Sequence, residues 1–159
     1  MNRRNTISLA AALACAAALA TAGTANAQSD TDKIKAAIDA LHAGLSSLDI
    51  NKIDALWAHE PYVMAVQPRD KTISVGWDAV HKSFEGATSF WAELKVTQQV
   101  APTIHVNGNV AWAQGIALAG GKSKAGAEVV GAPTFEADVF EKRGDRWLFV
   151  SHSAFRVPQ

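Results

Sequence analysis

Residues 134–159 read TFEADVFEKRGDRWLFVSHSAFRVPQ, two strand-like runs, Thr134–Phe140 and Arg146–Phe155, joined by the turn signal EKRGD. In the first run Glu136 and Asp138 alternate with Ala137 and Val139, so both carboxylates point to one face of a sheet. That face is either solvent or a polar pocket. A three-residue loop of Lys142, Arg143 and Gly144, with glycine in the left-handed position, pairs Glu141 with Asp145. Counting back from that pair sets Glu136 opposite Val150, Asp138 opposite Leu148 and Thr134 opposite His152. Two acids and a histidine then share a face. The arrangement depends on register, because a loop of different length turns the histidine to the other side.

The period-two pattern extends upstream through 94–106, 110–119, 129–141 and 146–157. Asn107-Gly108 reads as a type I′ hairpin pairing His105 with Val110 and Thr103 with Trp112. The stretch 119–127 reads as a hairpin end, and its GGKSK lacks the spacing of a phosphate loop. Before the strands the period is helical. Ile34, Ala37, Ile38, Leu41, Leu45 and Leu48 recur at three and four residues, behind a cap at Ser29 or Asp30. The exposed face of that helix is expected to carry Asp32, Lys35, Asp39 and His42. A short helix over 51–57 ends before Pro61, brief strands follow over 62–68 and 71–75, and Gly76 opens a third helix running to about Trp91. Helices, short strands, a helix and four long strands in that order specify an α+β domain, with helices covering one face of a curved, mostly antiparallel sheet.

The other end of the chain sets the compartment. Arg3 and Arg4 precede an apolar run from Ile7 to Ala22, and Ala25-Asn26-Ala27 is a small-x-small cleavage signal. Residues 1–27 are therefore expected to be a secretory signal peptide, residues 28–159 one domain, and the location periplasmic or secreted. The run is shorter than the ~20 apolar residues of a spanning helix, so no membrane partner is expected after cleavage. The signal contains Cys15, the single cysteine, and two of the fifteen basic residues against fifteen acidic ones. The remainder has no thiol nucleophile, no disulfide and no thiolate ligand. Its balance of charge and lack of a basic cluster exclude nucleic acid as the expected partner. Five Trp and six Phe call for a substantial core or an aromatic-lined cavity.

Four segments carry a family resemblance: SLDINKIDALWAHEPYVMAVQP, VGWDAVHKSF, IHVNGNVAWAQG and FEADVFEKRGDRWLFVSHSAF. In order and spacing they resemble the SnoaL-like group of the nuclear transport factor 2-like superfamily, over essentially the whole of 28–159. The resemblance implies a cone-shaped α+β fold with an internal pocket, commonly a homodimer through the outer sheet face. It implies no particular reaction, because the fold hosts enzymes, binding proteins and assembly modules. Against the ketosteroid isomerases of the superfamily, Gln67 falls at the catalytic base, Leu41 at the oxyanion tyrosine, and Trp57 and Phe84 at supporting tyrosines. Glu136 falls at the protonated acid and Asp138 beside it. An amide cannot act as a base, so that family's isomerase mechanism is not expected.

Family geometry and strand alternation together give a candidate pocket of Trp57, Ala65, Gln67, Trp112, Gln114, Glu136, Asp138, Val150 and His152. Glu136, Asp138 and His152 are the candidates for proton transfer. Trp57, Gln67, Trp112, Gln114 and Val150 are the candidates for ligand contact. A metal would need that same trio of acids and histidine, and neither metal nor cofactor is expected. The leading expectation is binding of a small, partly apolar molecule in the cone cavity. The alternatives are a lyase or isomerase using Glu136, Asp138 or His152, and a dimeric interaction module with a vestigial cavity.

Overall fold

The structure, a computed structural model, describes residues 30–157. The expected signal segment and the cap candidate Ser29 lie outside the described residues. Helix α1, residues 30–47, buries Ile34, Ile38, Leu41 and Leu45, and its outer face carries a Lys35–Asp39 ion pair at 2.7 Å. Asp30 is part of the helix. Its carboxylate accepts from Lys142 Nζ at 2.8 Å and from Trp147 Nε1 at 3.0 Å, tying the start of α1 to the last two strands. Helix α2, Ile50–Asp54, is capped by Asp49, whose side chain accepts from the Asn51 N–H. Among the described residues, no helix is long and apolar enough to cross a membrane.

Strands β1 (Met64–Val66) and β2 (Ser74–Val75) precede helix α3, Trp77–Phe90. Four long strands follow: β3 (Trp91–Asn107), β4 (Val110–Ser123), β5 (Glu128–Arg143) and β6 (Arg146–Arg156). The sheet order is β2-β1-β6-β5-β4-β3, antiparallel throughout except where β1 runs parallel to β6. The sheet is open, and the helices pack on its concave face, which is the α+β cone anticipated. Register shifts in β3 between Gln98 and Thr103 help bend it. There Gln98 Nε2 donates to the carbonyls of Val100 and Ile116 at 2.8 and 3.1 Å. Gly115 must stay glycine for this contact, since a Cβ would stand 2.9 Å from that nitrogen.

Both hairpin registers differ from the sequence expectation. The β3–β4 loop is Gly108-Asn109, so Asn107 pairs with Val110, His105 with Trp112 and Thr103 with Gln114. The β5–β6 loop is Gly144-Asp145, and Arg143 pairs with Arg146. In each case glycine stands first in a two-residue loop, at φ +62 and +61. Glycine supplies the positive φ at that first position, as a type II′ turn requires, and this placement moves the pairing along the strands. The shorter second loop alone would send His152 outward. A β-bulge between Val139 and Phe140 restores it: Phe140 faces Phe149, Val139 faces Ser151, and Val150 is the extra residue. Asp138 thereby meets His152 and Glu136 meets Ala154, not Leu148 and Val150.

The core lies between the helices and the inner face of β5 and β6. Trp57 stacks on Phe149 with centroids 5.7 Å apart and meets Phe84 edge-on at 5.6 Å, while Phe140 sits 4.4 Å from Phe149. Trp57 and Val150, expected as pocket walls, belong to this cluster, and neither lines the cavity described below. The aromatic packing draws the chain after α2 against β6, where it is held by Ala58 N–H to Phe149 O at 3.0 Å and Phe149 N–H to Leu56 O at 2.9 Å. Phe149 is fully buried at the centre of these contacts. Phe149→Ala is expected to destabilise the fold by about 3–5 kcal/mol in a urea titration, and a loss under about 1 kcal/mol would remove Phe149 from this role.

Candidate functional site

The inner row of β4 consists of Ala111, Ala113, Gly115 and Ala117, each buried. These small residues stand opposite Phe140, Asp138, Glu136 and Thr134 of β5. Side chains this short leave the acids room to lie over the concave face. On the far side of Asp138 comes His152 of β6, and beyond that Ala65 of β1 in parallel register. Small neighbours and helix packing above leave a cavity of about 390 Å³. Gln67, Thr134, Glu136 and His152 are its buried polar lining residues, Leu45, Phe90, Trp91, Leu94 and Val96 are apolar wall, and Arg69, Lys82 and Arg156 line it from exposed positions at the opening.

Two acid–imidazole pairs occupy the buried end. His152 Nδ1 lies 2.7 Å from Asp138 Oδ1, and the two residues are 1% and 4% exposed. His42 Nε2 lies 2.9 Å from Glu136 Oε2, with both again buried. Only one member of each pair, His152 and Glu136, lines the cavity. Asp138 and His42 stand behind them and fix their orientation. Burial pushes the Asp138 carboxyl upward and outweighs the adjacent His152. For His152 burial acts downward, but the charge and hydrogen bond of Asp138, aided by Glu136, carry it above its ordinary value of 6.5. Both directions are upward. The pair as a unit therefore keeps a proton to higher pH than its members would apart.

The sequence expectation joined Glu136, Asp138 and His152 on one face, and the structure brings those three together through a different register. Gln67 also reaches the cavity from the turn after β1, its buried Nε2 without a protein partner. Trp112 and Gln114 do not reach it. They stand on the outer face of β4, where Trp112 is 43% exposed and tilts against His105 with centroids 4.4 Å apart. The VAWAQGIAL pattern suggests that its larger side chains point inward, but a cavity-bearing face takes the small ones. His42 was expected in solvent and is buried instead. Its signal was present: Ile34, Ile38 and His42 repeat every four residues, on the buried stripe of α1. Among the described residues, no group of three His, Cys, Asp or Glu side chains is arranged to hold a metal.

The model of the SnoaL-like domain matches residues 34–156 of this chain. The chain belongs to the SnoaL-like domain family. Solved structures agree on the fold of this SnoaL-like protein. A proposed dehydratase of the nuclear transport factor 2-like family from Streptomyces avermitilis superposes with a TM-score of 0.73 at 17% identity, covering 84% of this chain and 99% of that one. A nuclear transport factor 2-like superfamily protein from Salmonella enterica serovar Typhimurium gives 0.73 at 18% identity, over 80% and 91% of the two chains. A proposed scytalone dehydratase from Novosphingobium aromaticivorans gives 0.69 at 15% identity, over 81% and 85%. No curated protein sequence matches the chain.

The upward shift of His152 has a definite sign in stability. Its contribution is full below the unfolded-state value of about 6.5 and is lost as pH rises through the higher folded value. An imidazole NMR titration should place His152 above 6.5 in the native protein. In Asp138→Asn, burial remains while the partner charge is gone, so the midpoint should fall below 6.5. A native midpoint at or below 6.5 would overturn the account of the pair.

Proposed function

We propose that this SnoaL-like protein holds a small, partly apolar molecule in its cone cavity and transfers protons on it, as a lyase or isomerase. The observation that carries the reading is the presence of two orienting pairs at the buried end of one cavity, each offering a single member to a bound molecule. His152, raised by its partner, serves as general acid. Glu136, held by His42, serves as general base. In an elimination, Glu136 takes a proton from carbon beside a carbonyl while the C–O bond to a neighbouring hydroxyl breaks, and His152 protonates the departing oxygen as water. In an isomerisation the same two groups remove and return a proton at different carbons. A dehydratase reaction is also the one proposed for the Streptomyces and Novosphingobium neighbours. That likeness supports the reading only by analogy.

Carbon-bound proton exchange tests this without knowledge of the natural substrate. Acetophenone, propiophenone and related aryl ketones incubated with the protein in D2O should gain deuterium beside the carbonyl. Glu136→Gln should lower the exchange rate by roughly 10²–10⁴-fold with binding retained. Ketones that bind without any exchange would reduce the reading to binding alone.

We also propose export with cleavage after Ala27, and pairing of two copies through the outer sheet face, where Trp112, Phe135 and Phe155 are exposed. Sedimentation and intact mass of exported material should give two chains, each beginning at Gln28. A single-chain mass at every concentration defeats the pairing, and retention of residues 1–27 defeats the cleavage.

A further inference from the structure

Three exposed cations line the cavity at its opening, and much of the wall behind them is apolar. Arg69 lies over the Phe90 ring, 3.4 Å from its centroid, a contact that holds the guanidinium beside the opening. Lys82 from α3 and Arg156 from the end of β6 line the same cavity. Among the described residues none of the three has an ion-pair partner. Asp70 lines the cavity with them, its Oδ2 accepting from the Gln67 N–H at 2.9 Å and from Ser83 Oγ at 2.8 Å, so at the exposed end of the lining three cations stand against one carboxylate. Cations gathered at the opening of a low-dielectric space favour an anion there.

Deeper in, Gln67 adds a second and independent requirement. The residue is 6% exposed, it lines the cavity, and its Nε2 is a buried donor with no protein acceptor. Such a group carries a desolvation cost that an oxygen of a bound molecule would relieve. The same cavity is walled by Phe90, Trp91, Leu94 and Val96, suited to a ring or short hydrocarbon body.

We infer that the ligand is a small carboxylate with an apolar body, its acid group at the opening against Arg69 and a carbonyl or hydroxyl oxygen accepting from Gln67 Nε2. The inference rests on the cavity being the working site and names the class of molecule that the site takes. It also orients that molecule. The acid group stays at the wet end, and the reacting carbons lie toward Glu136 and His152.

Benzoylpropanoate and its methyl ester test it, since both carry the aryl ketone and only one carries the charge. Titration of each into the protein, followed by NMR of the tryptophan indole N–H signals, should show the acid binding about tenfold more tightly than the ester. The advantage should shrink in 0.5 M salt, where exposed charges are screened. In Arg69→Gln the ratio should fall towards one. In Gln67→Leu both forms should weaken by about tenfold with the ratio kept, because the ketone oxygen is common to both. Equal or weaker binding of the acid, or binding of neither compound at millimolar concentration, overturns the inference. Unchanged affinity in Gln67→Leu removes the amide contact. Deuterium exchange on the same samples separates the two claims. Acid preference without exchange leaves the ligand class standing and defeats proton transfer, and exchange of neutral ketones without acid preference does the reverse.

Discussion

A single extra residue, Val150, decides whether this protein has a polar cavity. The two-residue loop at Gly144-Asp145 sets the β5–β6 register so that His152, on a regular ladder, would face outward. The bulge changes the parity of β6 beyond Phe149 and turns His152 back to the concave side, opposite Asp138. Consecutive burial of Phe149 and Val150 is the visible trace of that change. One side of the bulge belongs to the aromatic core and the other to the acid–imidazole pairs. The strand therefore supplies stability and chemistry from the same inner face, in sequence.

Cavity formation depends on a second constraint, the small inner row of β4. Larger side chains at Ala113 and Ala117 would crowd the space over Asp138 and Thr134 and gain apolar burial there. Asp138 would then have to surrender its room. Burying a carboxylate costs several kcal/mol unless it is paired. Each acid here has its imidazole, and Glu136 finds its partner on α1, so the helix must be docked for the sheet's polar face to be satisfied. Asp30, held by Lys142 and Trp147, ties the other end of that helix to the sheet. The Glu136–His42 pair thus serves as an attachment point between layers as well as candidate chemistry.

Much of the fold was legible because its elements announce themselves locally. Leucine and isoleucine spacing gave α1, Gly76 gave the start of α3, and alternation gave four long strands. Registers were less legible. Both loops contain glycine next to other turn formers, and only the backbone geometry decides which position in the loop it occupies. In the β5–β6 hairpin the misplaced loop and the unseen bulge act in opposite senses on parity. Asp138 and His152 consequently share a face in the expectation and in the structure for different reasons. Trp112 shows the limit of hydrophobic patterning. Apolar size predicts burial in a filled core, whereas the lining of a cavity follows the volume left for a ligand.

Gln67 reaches the same cavity from the turn after β1. It presents a neutral donor to the cavity. An amide takes no proton, so proton abstraction falls to other groups on the cavity surface. Glu136 and His152 line the same cavity, with His42 and Asp138 as their partners outside its lining, so that each pair exposes one group. A base at Gln67 would bring a further carboxylate into a buried space that already holds Glu136, raising the repulsion each acid must bear. An amide there avoids that cost and leaves the charges to two matched pairs. The cavity can then receive a molecule that brings its own negative charge, provided that the charge stays at the cationic opening.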